Sequence, residues 1–307
     1  MGRTVMVTGV AGFLGRHVAR HFAANGWRVA GFDVLAPENV RLPDVDYRQL
    51  QLSAAALAGI LDELGPQVCI HCAGCASVGS SMDDPGADFS GNTVLVFELL
   101  EALRRHAPGC RFVLLSSAAV YGDPASLPVT ENHGVRPLSP YGYHKRQAEL
   151  LCEEFAQIYS LATVAVRIFS AYGPGLRRQV VWDICKKVLE TGQLNLRGTG
   201  QESRDFIHAA DIARGLQLVA EKAPGEGEVY NLASGREVTI AEAAQLLLAA
   251  LGSNTKASFD GRPTPGNPLR WCADISKIAS LGFVPAISFE QGITEVSGWA
   301  KSEIVGR

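Results

Sequence analysis

Hydrophobic positions in the first half of the chain follow two alternating rhythms. Short apolar runs at 4–8, 27–33, 47–50, 68–72, 111–116 and 162–168 have the length and β-branched content of strands. Between them, residues 13–25, 54–64, 93–106 and 140–160 repeat apolar positions every three to four residues, the spacing of a helix that buries one face. Such alternation predicts a parallel sheet covered on both faces, and right-handed crossovers make that sheet doubly wound. Beyond about residue 170 the rhythm breaks. Gly and Pro gather at 172–175, 198–200 and 261–268, and helices are expected at 180–190, 209–221, 240–251 and 289–301 with short strands between them. The expectation is an α/β fold with a main domain over 1–170 and a smaller mixed α/β lobe over 171–307, one or two segments of which return to the main sheet.

Composition narrows the class of partner. With 47% hydrophobic and 19% charged residues, 307 positions can bury a sizeable core. A formal net charge of -3 gives no electrostatic case for nucleic acid or an anionic membrane. No apolar stretch is long enough to span a bilayer, and the chain opens directly into a strand pattern with no signal-peptide layout, so a cytoplasmic location is expected. Seven cysteines, an odd number set mostly in apolar runs, read as reduced thiols. Cys69, Cys72 and Cys75 imitate a metal-binding spacing. The first two fall in a strand whose side chains alternate faces, and no second CxxC supplies further ligands, so no metal is expected.

The first strand runs into Thr8-Gly9-Val10-Ala11-Gly12-Phe13-Leu14-Gly15, and a helix follows. Three glycines at a strand-to-helix turn let the backbone approach a pyrophosphate and aim the free N–H groups of the helix at its charge. This makes the main domain Rossmann-type, although the spacing is GxxGxxG and not GxGxxG. Asp33 closes the second strand. A carboxylate there can accept both adenosine ribose hydroxyls and would repel a 2′-phosphate, which favours NAD over NADP.

Two further segments carry candidate chemistry. Tyr141 and Lys145 are four residues apart near the start of a long helix and share a face, so the ammonium can stabilise a phenolate and bring Tyr141 toward use as a general base. Ser117, just past the strand over 111–116, lies at the carboxyl edge of the sheet, where its hydroxyl could bind the same substrate oxygen; Ser116 competes for that role. His144 reads as a helix-surface residue.

These segments resemble the extended short-chain dehydrogenase/reductases, the NAD-dependent epimerase/dehydratase family. The likeness runs through Thr8 to Gly15, Asp33, His71 to Gly74, Asn92, Ser116 to Gly122, Pro137 to Lys145, Arg167 to Gly175, Ser203 to His208, Asp211 and Ala273 to Lys277. It implies Ser117, Tyr141 and Lys145 as the catalytic set. Gly9, Gly12, Phe13, Leu14, Gly15, Asp33, Gln51, Leu52, Ala73 and Gly74 would line the NAD, together with Tyr141 and Lys145. Arg204 would grip the diphosphate of a nucleotide-sugar substrate, with Arg262 or Arg270 as a second clamp. The backbone near Leu194 and Leu196 would meet the nucleobase, and Ser81 and Ser170 the sugar.

Ala118 and Ala119 stand where the family's 4,6-dehydratases carry an Asp–Glu pair, so removal of water is not expected. The resemblance points to a 4-epimerase acting on a UDP-hexose or UDP-N-acetylhexosamine through a 4-keto intermediate. The alternatives are an NAD(P)H-dependent 4-ketoreductase and a non-catalytic NAD-binding regulator. A homodimer, through the helices at 93–106 and 140–160, is implied as well.

Overall fold

The computed structural model describes residues 2–262 and 268–306; part of the Gly/Pro run expected at 261–268 therefore lies outside the described residues. The main sheet takes β1 (Thr4–Thr8), β2 (Arg28–Asp33), β3 (Val45–Gln49), β4 (Val68–His71), β5 (Arg111–Ser117) and β6 (Thr163–Ile168) from the first half of the chain. Its helices are α1 (Phe13–Ala24), α2 (Ala54–Leu64), the short α3 (Val78–Asp83) and α4 (Pro85–Phe89), α5 (Leu95–His106) and α6 (Pro140–Tyr159). In the second half follow β7 (Ser170–Tyr172), α7 (Gln179–Thr191), β8 (Leu194–Leu196), β9 (Ser203–His208), α8 (Ala209–Lys222), β10 (Glu226–Leu232), β11 (Glu237–Thr239), α9 (Ile240–Leu251), β12 (Ala257–Phe259), α10 (Ser276–Ala279) and α11 (Phe289–Ile304).

Seven parallel strands form the main sheet in the order β10-β6-β5-β4-β1-β2-β3. The order reverses beside β1, so the connections that leave β1 and β4 at their carboxyl ends run to opposite faces of the sheet and leave a crevice between them. Strand residues alternate between two apolar layers. Val5, Val7, Ile70, Val113 and Val166 pack with Val18 and Phe22 of α1 and Ile212 and Leu216 of α8. Met6, Cys69, Phe112, Leu114 and Ala165 face Leu57 and Leu61 of α2, Leu99 and Leu103 of α5, and Cys152 and Phe155 of α6. Burial on both faces explains why these strands read as continuous apolar runs.

Helix ends follow local chemistry. Ser53 caps α2 through the Ala56 N–H, and Ser139 caps α6 through the Gly142 N–H with Pro140 at the first helical position. A π-helical turn over Ser90–Val94 leads into α5, where the sequence pattern predicts an α-helix from residue 93; the wider turn sets Asn92 and Thr93 inward. Most of the second half forms a separate layer. Tyr172, Trp182, Ile184, Phe206, Leu247, Phe289 and Ile293 build its core from α7, α9, α11 and the small sheet β11-β9-β7. β10 leaves this lobe and joins β6 of the main sheet, and α8 packs on α1. Among the described residues no helix is long and apolar enough to cross a membrane.

Candidate active site

The glycine turn sits where β1 meets α1. Gly9 has φ +63, and a Cβ there would stand 2.6 Å from the Ala73 nitrogen; a Cβ on Gly15 would stand 2.1 Å from the Gly9 carbonyl oxygen. Backbone therefore meets backbone at both points, and no larger residue fits. Gly12 is the N-cap of α1 and brings no side chain to the first turn. The N–H groups of that turn are left for an acceptor outside the helix, which suits a diphosphate. Asp33 lies across the turn: one carboxylate oxygen accepts the Ala11 N–H at 3.0 Å and the other the Val34 N–H at 2.8 Å.

A cavity of about 720 Å³ opens from this turn along the carboxyl edge of the sheet. Gly9, Gly12, Phe13, Leu14, Gly15, Ala73 and Gly74 of the cradle line it, together with Ser117, Tyr141, Lys145, Ser170 and Arg204. The volume falls within the range of small-molecule and cofactor sites. Cradle and cavity together fit a dinucleotide; Asp33, held on the Ala11 and Val34 N–H groups beside the turn, is not among the lining residues.

The cavity rests on a buried polar layer. Ser116 donates its hydroxyl to Glu149 at 2.6 Å, and Glu149 is held by Arg167 through two bonds of 2.8 Å. Ser116 is thereby committed to the interior, while Ser117 presents its hydroxyl beside the Tyr141 phenol. Thr8 is hydrogen-bonded to His71 at 2.7 Å and accepts the Ala73 N–H. Burial, and secondarily the nearby Lys145 charge, push His71 down to about 3, so its ring stays neutral.

Lys145 is buried, its Nζ 5.9 Å from the centre of the Tyr141 ring. Burial lowers its pKa from 10.5 to about 8, against the opposing pull of Asp88 and of nearby thiols and Glu149. The Tyr141 phenol moves the other way. Burial raises it above its usual value of 10, Asp88 and Cys75 add to that, and Ser117 and Arg178 oppose it. The expected lowering of Tyr141 by Lys145 is thus not a property of the free protein: the shared helix face brings the ammonium over the ring, and desolvation of the oxygen dominates.

Other expectations need correction. Ser81 does not face the cavity: it is fully buried, donating to the Val78 carbonyl and accepting the Tyr141 N–H, and so ties α3 to the start of α6. His144 is no surface residue, since it is hydrogen-bonded to Asp88 and packs edge-on to Phe89. Leu52 is buried with Leu57 and Leu61, and Gln51 is exposed beyond β3; neither lines the cavity. Leu194 and Leu196 pack into the second-half core, leaving Arg197 and Gly198 at the cavity wall. Arg270 is turned away onto Glu237, in contacts of 2.7 and 2.8 Å, and Arg262 lies exposed past Asp260. Among the described residues, the arginines that do face the cavity beside Arg204 are Arg178 and Arg197. Sequence reading passed over both; Arg197 follows directly on β8 and was within reach, whereas nothing local marks Arg178.

Arg204 is held in place by its surroundings. Its guanidinium lies 5.4 Å from the Trp271 ring centre and donates to the Ser203 carbonyl at 2.7 Å. Asp205 beside it faces inward, accepting N–H bonds from Ser234, Gly235 and Ala273, with burial raising its pKa to about 6. It anchors β9 rather than a ligand.

A dinucleotide cradle at one end of a parallel sheet, with a hydroxyl, a phenol and an ammonium further along the same cavity, defines a dehydrogenase-type site. The chain belongs to the NAD dependent epimerase/dehydratase family, whose pattern it matches over residues 5–233. It is 28% identical to a putative UDP-glucose 4-epimerase of Methanocaldococcus jannaschii, over 97% of this chain and 98% of that one. Its identity to a UDP-glucuronate 4-epimerase of Thermodesulfobacterium geofontis is 30%, over 97% and 96%. Among solved structures, the UDP-glucose 4-epimerase of Thermus thermophilus in complex with NAD superimposes with a TM-score of 0.87 at 28% identity, covering 97% of this chain and 99% of that one.

Proposed function

We propose that the protein is an NAD-dependent 4-epimerase of UDP-sugars. The observation that carries this reading is the single cavity joining the dinucleotide cradle to Ser117, Tyr141 and Lys145, and these to Arg204. The glycine turn would hold NAD, which when bound would supply an acceptor for the C4 hydrogen of the sugar as hydride and a donor for its return. Ser117 holds the C4 hydroxyl by a hydrogen bond, and Tyr141 removes its proton and later returns one to the same oxygen. Lys145 keeps positive charge beside the phenolate, and Arg204 anchors the diphosphate while the 4-keto sugar turns its other face. An Arg fork suits that task because it binds phosphate oxygens in pairs.

Ala118 is fully buried and Ala119 offers only a methyl group at the wall, so neither supplies the acid or base that removal of water requires. The two relatives carry the names of a putative UDP-glucose and a UDP-glucuronate 4-epimerase, and those sugars share C4 and differ at C6. Homodimerisation through α5 and α6 belongs to this reading, as does a cytoplasmic location, for which seven free cysteines speak.

Incubation of the pure protein with UDP-glucose, UDP-N-acetylglucosamine and UDP-glucuronate, followed by separation of C4 isomers, is the direct test. Interconversion without net consumption of NAD(P)H is expected. Stoichiometric NAD(P)H consumption with a 4-keto sugar would replace the epimerase reading with a reductase. Tyr141→Phe should lower turnover at least ~100-fold, as loss of a general base does, with NAD retained; full activity in this variant would remove Tyr141 from the mechanism.

A further inference from the structure

The cavity wall holds more positive charge than a dinucleotide and a nucleotide diphosphate require. Among the described residues it carries Lys145, Arg178, Arg197 and Arg204 against one acid, Glu202. That acid is already occupied: its carboxylate accepts the N–H groups of Thr199 and Gly200 and the Thr199 hydroxyl. The diphosphate of the dinucleotide is met by the backbone of the glycine turn and needs no arginine. Arg197 and Arg204 line the wall with Gly198 and would serve a second diphosphate, and Lys145 serves Tyr141. Arg178 is left over.

Its position differs from that of the other arginines. Arg178 is the N-cap residue of α7 and donates to the Ala76 carbonyl at 2.8 Å, which holds its guanidinium at the cavity wall just before α3, the helix that Ser81 ties to the Tyr141 N–H. Its charge is felt at the Tyr141 oxygen. Among the described residues no carboxylate lies within ion-pair distance of it, in contrast to Arg177, which pairs with Glu303 at 2.8 Å. The backbone is bent to put it there. Gln179, the next residue, has φ +67, a left-handed conformation that a side-chain-bearing residue adopts only when its surroundings enforce it. A guanidinium bound to one exposed carbonyl keeps most of its donors free for a planar anion.

We propose that Arg178 selects a sugar bearing a carboxylate, so that the preferred substrate of the site is a UDP-linked sugar acid. The inference rests on the UDP-sugar reading above and adds the charge of the sugar. A carboxylate on the sugar meets the Arg178 fork in bidentate fashion, while the diphosphate stays with Arg204. A neutral hydroxymethyl group at the same place leaves the arginine on Ala76.

Binding isolates the inference from turnover. Titration calorimetry on the NAD-loaded protein, in its Tyr141→Phe form so that nothing reacts, would compare UDP-glucuronate with UDP-glucose. The sugar acid should bind about 10- to 100-fold more tightly, the range of a charge-assisted bond. In Arg178→Ala, added to the same background, that ratio should collapse toward one, and Arg178→Lys should restore part of it. Equal affinity for the two sugars in the Arg178-bearing protein overturns the proposal. So does a loss shared equally by both sugars in Arg178→Ala, which would put Arg178 on the diphosphate, or a loss of NAD in that variant, which would make it a cofactor strap. Failure of both sugars to bind sinks the UDP-sugar reading itself. The first comparison decides even if the alanine variant does not fold.

Discussion

Lys145 carries a cost in the free protein. In the unfolded chain its ammonium titrates at the ordinary 10.5, and in the fold at about 8. Between those values the unfolded chain holds a proton that the native protein has released, so stability rises with pH across that window. Below pH 8 both states are protonated and the full burial penalty applies, of the order of ~3 kcal/mol. Lys145→Met removes the charge and keeps an unbranched side chain, and Asp88 retains His144 and Asn92 as partners. This variant should be inactive yet more stable at pH 7, with the gain shrinking above pH 8 and gone near pH 10.5. Urea titrations at pH 7 and pH 10 would measure it. A variant less stable at both would mean that the ammonium is satisfied in the fold and that burial does not govern its titration.

At the scale of the element, the turn from β1 into α1 binds most of the argument together. Gly15→Ala should abolish NAD retention and lower the melting temperature, because its methyl would have to displace the Gly9 carbonyl and the Val10 Cα, both backbone. Gel filtration of the purified variant, followed by absorbance of released cofactor, would read the first effect. This turn was legible in the sequence because its requirements are local: three glycines, a strand before and a helix after. The same holds for the faces of the long helices and for Tyr141 and Lys145 on one of them. What escaped depends on segments that meet only in three dimensions. Ser81 looked like a ligand residue until its hydroxyl was seen under the Tyr141 N–H, and His144 looked exposed until α4 brought Asp88 against it. The same reason placed Arg270, expected at the cavity, and Arg178, for which no role was expected. One met Glu237 and left the cavity, and the other met a carbonyl and stayed in it.

On the scale of the molecule, the outer faces of α5 and α6 are too apolar for free solvent. Phe97 and Val94 from one side and Leu150, Ile158 and Tyr159 from α6 are all exposed, Ile158 by 69%. Phe97 and Tyr159 both touch Phe155, so core and surface form one continuous apolar strip. Scattered exposed hydrophobes are ordinary, but a strip along two adjacent helices is the surface that the homodimer proposed above would bury. Two copies packed through this strip would form a four-helix layer on a two-fold axis, each copy burying what the other exposes. Sedimentation should give twice the chain mass of 32.7 kDa. A charge at the most exposed point, Ile158→Arg, should shift the protein to monomer, since an unpaired guanidinium in an apolar interface is not compensated. The strip lies on the face of the sheet opposite α1 and α8, but α6 also carries Tyr141 and Lys145 at its other end. Loss of the partner should therefore loosen the helix that holds both groups and lower turnover along with mass. A monomer with undiminished activity would separate the interface from the site, and a wild-type monomer would leave the apolar strip without the partner inferred for it.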